Sequence, residues 1–487
     1  MTRIVVHDAF VLTVDDRNRL FKRGTLVSED GVIREVRKTH DGDATLDADH
    51  VIDGTGKLVL PGLVNAHAHL ELTALIGAFS EFGVGELFAT MTAVYNQLGR
   101  GEYDYLVKAG YELAALNFLV GGVTTTNSMD VRPTYGAEVF GEAGLRGVFG
   151  STITDLFWDV PVDEQLQRAR SFVETCHGSY GGRVRAAICP HDDWSVSRDL
   201  WERVARLADE YPTLPVHTHL LELDQSNTLA RSYGAKDSLG LVEEVGLLDE
   251  RLLAAHVRLA DEEDIRRIAN AGSGVAHCPS IFCYFNPDGS APWTPVPELR
   301  GAGVATGLGL DDHYWHDSYD LFGEARQARL AANLKKGAKQ FSSIELVRML
   351  TIEGAEALGM DEEIGSLEPG KRADFLVLDV DKPKFTPLTN VPAQIVNNAT
   401  SADVETVVVD GTVLMGEGTI PRLDTEAIRE RATRAVERFC EETGWEIGIG
   451  GSDPPSTGKI VTDLPKRGPA RLLARIATQS VKDELEF

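Results

Sequence analysis

Basic residues are scarce in this chain of 487 residues: 48 Lys and Arg stand against 75 Asp and Glu, a formal net charge of -27 at pH 7. Binding to nucleic acid or to an anionic membrane surface needs a basic face, so no nucleic acid and no membrane partner is expected. Cysteine is scarce as well. Cys176, Cys189, Cys278, Cys283 and Cys440 are odd in number, widely spread and form no CxxC pair. That spacing excludes a disulfide framework and fits reduced thiols in a cytoplasmic protein. Long apolar runs are missing too, with nothing near the roughly 18 residues a bilayer-spanning helix requires. The N-terminus, MTRIVVHDAFVLTVDD, alternates apolar and polar like a strand and has no signal-peptide core.

What remains is an ordinary globular composition, 43% hydrophobic and 25% charged. The length exceeds an average domain and suits a (β/α)8 barrel with a small satellite. Short alternating strands separated by Asp, Gly and Asn turns fill the first 57 residues, and similar strands return at Ala373–Leu378, Val404–Val409 and Thr412–Met415. Between them, strand-like apolar runs alternate with helical periodicity, the signature of βα units and a parallel sheet. The expected barrel strands are Val59–Val64, Gly122–Asn127, Gly147–Thr152, Val184–Cys189, Pro215–His219, Leu252–His256, Gly274–His277 and Val304–Gly309. The fold class expected is therefore α/β, a (β/α)8 TIM barrel with a composite β-sandwich built from both chain ends. The sandwich would comprise residues 1–57 plus 365–420, the barrel 58–364, and a C-terminal helical extension 421–487. That extension includes a Gly-, Ser- and Pro-rich arm and a helix over Ala470–Glu484.

Polar residues gather where the barrel strands end, which in such barrels is the face that holds the active site. The first strand, LVLPGLVNAHAHL, runs into His67 and His69. Residues i and i+2 of an extended chain share a face, so both imidazoles can reach one divalent metal. The fifth strand ends in His217-Thr218-His219 with Glu222 three residues on. The sixth ends at His256, the seventh at His277-Cys278-Pro279, and the eighth passes through Gly-Leu-Gly to Asp311 and Asp312.

These motifs, with IGSLEPGKRADFLVLD at Ile364–Asp379, resemble the amidohydrolase superfamily in its mononuclear-metal deaminase and chlorohydrolase branch, over roughly residues 1–420. The stretches Asp311–Ser318 and Gly359–Asp361 look most like its triazine-hydrolase members. The resemblance implies that His67, His69, His219 and Asp311 are metal ligands for one Zn2+ or Fe2+ per chain. It also implies that Asp311 takes a proton from the attacking water, that Glu222 shuttles a proton to a ring nitrogen and then to the leaving group, and that His256 orients the water. The chemistry agrees, since three neutral imidazoles and one carboxylate leave a water in the open position of a divalent ion. His219 rather than His217 is taken as the ligand because Glu222 then falls at the family spacing.

Substrate contacts are expected from His191 and Trp194 in the loop after the fourth strand, from His277, from Asp312, and from Glu71, two residues beyond His69. Tyr314, Trp315, His313 and His316 share the loop after strand eight. The segment Ser280-Ile281-Phe282 departs from the Ser-Asn that follows His-x-Pro in relatives, so the substrate is left open among purines, pterins, pyrimidines, triazines and nucleosides. The implied reaction is hydrolytic deamination of an aminated N-heterocycle, with dechlorination or amide hydrolysis as the alternative. Two other routes lack their residues: no lysine ends the fourth strand to bridge two metals, and no Pro-Cys-x-x-Cys accompanies His69-Leu70-Glu71. A small-molecule substrate and a homo-oligomer, dimer or higher, complete the expectation.

Overall fold

The computed structural model describes residues 2–79, 84–156, 158–284, 292–312, 318–337, 339–448 and 451–453. Tyr314, Trp315, His313, His316 and the C-terminal stretch Ala470–Glu484 lie outside the described residues. Strands from both chain ends join in one eight-stranded ladder. Its order is Thr412–Met415, Val404–Val409, Phe375–Asp379, Lys57–Pro61, Arg3–Leu12, Leu20–Glu29 and Val32–Lys38, with His50–Asp53 pairing in parallel alongside Arg3–Leu12. Arg3–Leu12 is one strand with a register shift between Val6 and Ala9, where Asp8 takes φ 59°. Ile4, Val6, Val11, Leu26, Ile33, Val59, Phe375 and Val377 form an apolar core belonging to this added β domain.

Eight parallel strands make the barrel: Leu63–Ala68, Val123–Asp130, Arg146–Ile153, Val184–Ala186 continued by Cys189–Pro190, Val216–Leu220, Leu252–His256, Gly274–His277 and Thr306–Leu308. Two arcs of ladder are closed by parallel bridges Ile188 to Val216, Asp192 to His219 and Ala68 to Asp311. The first expected strand, Val59–Val64, is corrected here. It is two strands in two different sheets, with Lys57–Pro61 in the added domain and Leu63–Ala68 in the barrel. Gly62 makes the turn: its N–H donates to the Asp374 carbonyl (3.0 Å), and a Cβ there would lie 2.1 Å from Thr124 Oγ1. Only a residue without a side chain allows that approach.

Val64, Ala66, Met129, Val148, Ala187, Leu253, Ala255 and Ala276 form a second cluster with Ala355, Leu358 and Met360, separate from the outer core of strands and helices. The helices start where their caps stand. Ser197 accepts from Leu200 N ahead of Arg198–Glu210, and Asp261 forms a capping box ahead of Glu262–Ala271. Helix Thr425–Thr443 of the C-terminal extension lies against helix Asp104–Gly121. Phe439 meets Tyr103 edge on (5.1 Å), and Arg431 pairs with Glu112 (2.7 Å).

Candidate active site

The bonds that close the barrel also build the site. Leu310 N and Asp311 N both donate to the His67 carbonyl (3.1 and 3.0 Å), and His69 N donates to the Asp311 carbonyl (3.4 Å). Asp311 takes φ 57° to do so, a left-handed conformation that costs an ordinary residue strain. The register of the first strand slips between Asn65 and Ala68, across His67 and just ahead of His69. His67 and His69 then sit with Nε2 3.4 and 3.8 Å from Asp311 Oδ1. His219, from the fifth strand, brings its Nε2 to 3.1 Å from His69 Nε2. One ligand atom from each of His67, His69, His219 and Asp311 lies within 4.8 Å of the others, and all four residues are buried.

The hydrogen bonds behind these rings decide which nitrogens face the centre. His69 Nδ1 donates to the Met129 carbonyl (2.7 Å) and His219 Nδ1 to the His191 carbonyl (2.5 Å). In the neutral rings both Nε2 atoms therefore carry lone pairs and face each other with no hydrogen between them. His67 Nε2 is buried and makes no hydrogen bond. A buried polar atom of this kind is costly without a partner. Two such lone pairs, the unbonded Nε2 of His67 and one carboxylate converge on a point, a donor set that fits a divalent cation of the zinc class.

A second layer lies beside this group. His256 ends the sixth strand at φ 74°, which turns its ring over the site. Its Nε2 lies 3.6 Å from Asp311 Oδ2 and 3.9 Å from Glu222 Oε1. Its ring stacks on His219, with centroids 5.2 Å apart and planes at 5°. Burial pushes His256 down to about 3, so the ring is neutral. Glu222 follows Leu221, which takes φ 52° and donates its N–H to Asp193 (2.7 Å). Burial, and after it the charge of Asp311, hold the Glu222 carboxyl well above the usual range. Asp311 goes the other way. Burial works against its charge, but the ring of His256 and after it those of His67 and His69, all facing the carboxylate, outweigh it and hold the carboxyl far below the usual range. Two carboxyls on either side of one neutral imidazole are thus held in opposite protonation states, the arrangement that assigns an acid and a base.

Of the expected substrate contacts, His191 has its ring centroid 4.8 Å from that of His219, and its Nδ1 bonds Asp192. Trp194 stands edge-on to His191 (6.1 Å). Asp312 donates its N–H to Asp311 Oδ1 (2.8 Å). His277 is buried in the seventh strand, its Nδ1 without a hydrogen bond, and burial pushes it down to about 3. Glu71 is turned into the protein: its carboxylate accepts from Val131 N (3.0 and 3.1 Å) and Arg132 N (3.1 Å), and the residue is fully buried.

The family model described as the amidohydrolase family matches residues 58–414. The chain belongs to the amidohydrolase family. It is 32% identical to the 5'-deoxyadenosine deaminase of Methanothermobacter thermautotrophicus over 85% of this chain and 94% of that protein. It is 31% identical to the 5-methylthioadenosine/S-adenosylhomocysteine deaminase of Symbiobacterium thermophilum over 91% of this chain and all of that one. Among solved structures, an adenosine deaminase from Xanthomonas campestris with bound zinc superposes with a TM-score of 0.81 at 26% identity, covering 90% of this chain and 99% of that one.

Of three further residues of this amidohydrolase site, Asn127 and Arg258 carry no sequence signal of their own, and His217 shows in the sequence only as the alternative to His219. His217 bonds the outer face of His67, and Asn127 bonds His217. Arg258, two residues beyond His256, donates through Nε to the backbone carbonyl of Glu222 and lays its guanidinium over Phe282 at 5.5 Å. Each contact joins residues far apart in sequence, which no local pattern encodes.

Proposed function

We propose that this amidohydrolase removes the exocyclic amino group of an adenine nucleoside altered at its 5' position. The enzyme acts on non-peptide carbon–nitrogen bonds, and hydrolytic deamination of an aminated N-heterocycle is its reaction. The narrower substrate class is supported by the names of the relatives at 31–32% identity, all of which act on adenine nucleosides of that kind. The observation that carries the mechanism is the placement of Glu222 and Asp311 around His256, whose Nε2 lies 3.9 Å from the one carboxyl and 3.6 Å from the other.

His67, His69, His219 and Asp311 would hold one ion, Zn2+ or Fe2+, since this donor set suits either. A divalent ion in such a site supplies acidity, lowering the pKa of its water to about 7 from about 15.7. The chain's own groups do the rest. Asp311, ionised, accepts the proton of the attacking water, and neutral His256 holds that water by a hydrogen bond. Glu222, protonated, donates to the ring nitrogen beside the amino-bearing carbon, which makes that carbon more electrophilic. As the carbon–nitrogen bond breaks, the proton held by Asp311 passes to the exocyclic nitrogen, which leaves as ammonia, and the added hydroxyl returns its proton to Glu222 as it becomes the carbonyl. Water and the amine are consumed, and the ketone-type heterocycle and ammonia are formed. Halide loss from the same carbon would need no proton on the leaving group, so a carboxyl kept protonated at Glu222 favours the amine.

His191, Trp194, Asp312 and His277 are proposed to frame the substrate, and the unpaired cysteines fit a cytoplasmic enzyme. A homo-oligomer is part of the same reading and is checked by light scattering. The test of function is ammonia release by zinc-loaded protein from adenosine, 5'-deoxyadenosine, methylthioadenosine, S-adenosylhomocysteine, guanine and an aminotriazine, with Asp311→Asn as the blank. The expected result is release from the 5'-modified nucleosides by wild type alone. Release only from guanine or the triazine would overturn the substrate class.

A further inference from the structure

The outer nitrogens of the three imidazoles at the centre are held in two different ways. Those of His69 and His219 donate to main-chain carbonyls. The outer nitrogen of His67 has no carbonyl partner. It faces Nε2 of His217 at 2.8 Å, and the two rings meet edge to face with centroids 4.9 Å apart. The second nitrogen of His217, Nδ1, lies 3.0 Å from the side-chain amide nitrogen of Asn127. That amide also donates to the Ala66 carbonyl (3.0 Å), which fixes its orientation, because a carbonyl only accepts. The chain of contacts therefore begins at His67, crosses to the fifth strand at His217, returns through Asn127 on the second, and ends on the residue next to His67. Every member is at most 1% exposed. No water competes for these bonds, so the ring plane of His67 is set by side chains rather than by the backbone.

We propose that His217, backed by Asn127, is the positioning residue of His67: it holds the ring so that Nε2 points at the centre, and thereby sets how tightly the site binds its divalent ion. The inference rests on His67, His69, His219 and Asp311 being the ligand set. A ligand histidine whose outer nitrogen is hydrogen-bonded is held in one orientation, and loss of such a partner weakens metal binding by about 10–100-fold. His217 sits two residues before a ligand, yet its ring is turned to His67 and not to the point where the four ligand atoms converge.

The experiment compares wild type with His217→Phe, His217→Gln, Asn127→Ala and His219→Ala. Zn2+ affinity is measured by competition with a chromophoric chelator, the Co2+ absorption spectrum reports the geometry, and kcat and KM are read at saturating zinc. His219→Ala should lose more than about 100-fold in zinc affinity, as a lost ligand does, and it tests the ligand set alone. His217→Phe should lose about 10–100-fold and shift the cobalt bands. His217→Gln, which can still bond His67, should recover most of that loss. Asn127→Ala should lose less than His217→Phe, and KM should stay unchanged in all three. Wild-type affinity and spectrum in His217→Phe, with binding lost in His219→Ala, would overturn the proposal and leave the ligand set standing. Wild-type affinity in His219→Ala would overturn the ligand set itself. If His217→Phe fails to fold, His217→Ala takes its place, and wild-type affinity and cobalt spectrum in both His217→Ala and Asn127→Ala, with binding lost in His219→Ala, overturn the proposal equally.

Discussion

At the base of the barrel Arg146, 2% exposed, donates to Asp374 (2.6 and 3.1 Å) and to Asp410 (3.0 Å), and Asp410 is met in turn by Arg372 and Arg183. At the mouth, Glu222 and Asp311 stand among imidazoles that burial keeps mostly neutral. Both ends bury charge, but the base supplies every charge with a counter-charge from the same fold, while the mouth leaves lone pairs facing one another. Backbone strain is distributed in the same way. Leu221, His256, Val257 and Asp311 all take positive φ at the mouth, whereas Arg146 lies within a regular strand that ties the barrel to the added β domain. The comparison teaches that the base is satisfied by the chain alone and the mouth is built to be completed by a cation and a substrate.

The sharpest way to separate the two ends is Glu222→Gln. Ammonia release should fall by about 10²–10⁴-fold, the usual contribution of a positioned proton donor, with zinc content unchanged. An unchanged rate would remove Glu222 from the chemistry. The counterpart at the base is Arg146→Met, which strands two acids. It should cost about 3–5 kcal/mol in urea unfolding, as breaking one side of a buried ion pair does, while the folded fraction keeps its zinc affinity. Loss of zinc affinity in that variant would show that the two ends are not independent. Gly62→Ala, at the seam between barrel and added domain, should cost about 1–3 kcal/mol through its clash with Thr124, again without touching the site.

The smallest effect is a pH dependence. Glu222 has its native pKa raised above the ordinary carboxyl value of 4.5, so below that value its proton is bound in both folded and unfolded protein and costs nothing. Above it the unfolded chain ionises first, and the native state loses stability steadily until the pH reaches the raised native value. In metal-free protein, the melting temperature of Glu222→Gln should therefore rise relative to wild type as pH increases from 4.5, and match it below. A difference independent of pH would contradict the raised carboxyl.

Much of this was legible in the sequence. Leu252–His256 and Gly274–His277 were read to the residue, because each is an apolar run closed by a histidine. That His67, His69, His219 and Asp311 come together was legible because each stands at the end of a barrel strand in a short local motif, and their roles belong to the proposed function. The run LVLPGLV was not, since apolar character says that a segment is buried but not in which sheet, and the need for Gly62 comes from Thr124, far along the chain. Glu71 was placed at the mouth by continuing the alternation of the strand, but the strand ends at Ala68, and beyond it the carboxylate swings to the amides of Val131 and Arg132. Asn127 was opaque for the same reason as Gly62, and His217 was legible only as the non-ligand histidine beside His219: their partners are contributed by other strands.

The central claim, that the mouth is completed by a catalytic cation while the base holds the fold, is tested most directly by chelation. Wild-type protein dialysed against a strong chelator should lose ammonia release from 5'-deoxyadenosine while keeping its circular dichroism spectrum, and one equivalent of zinc or ferrous ion per chain should restore the rate. Full activity in the metal-free protein, or loss of the fold together with the metal, would contradict the account.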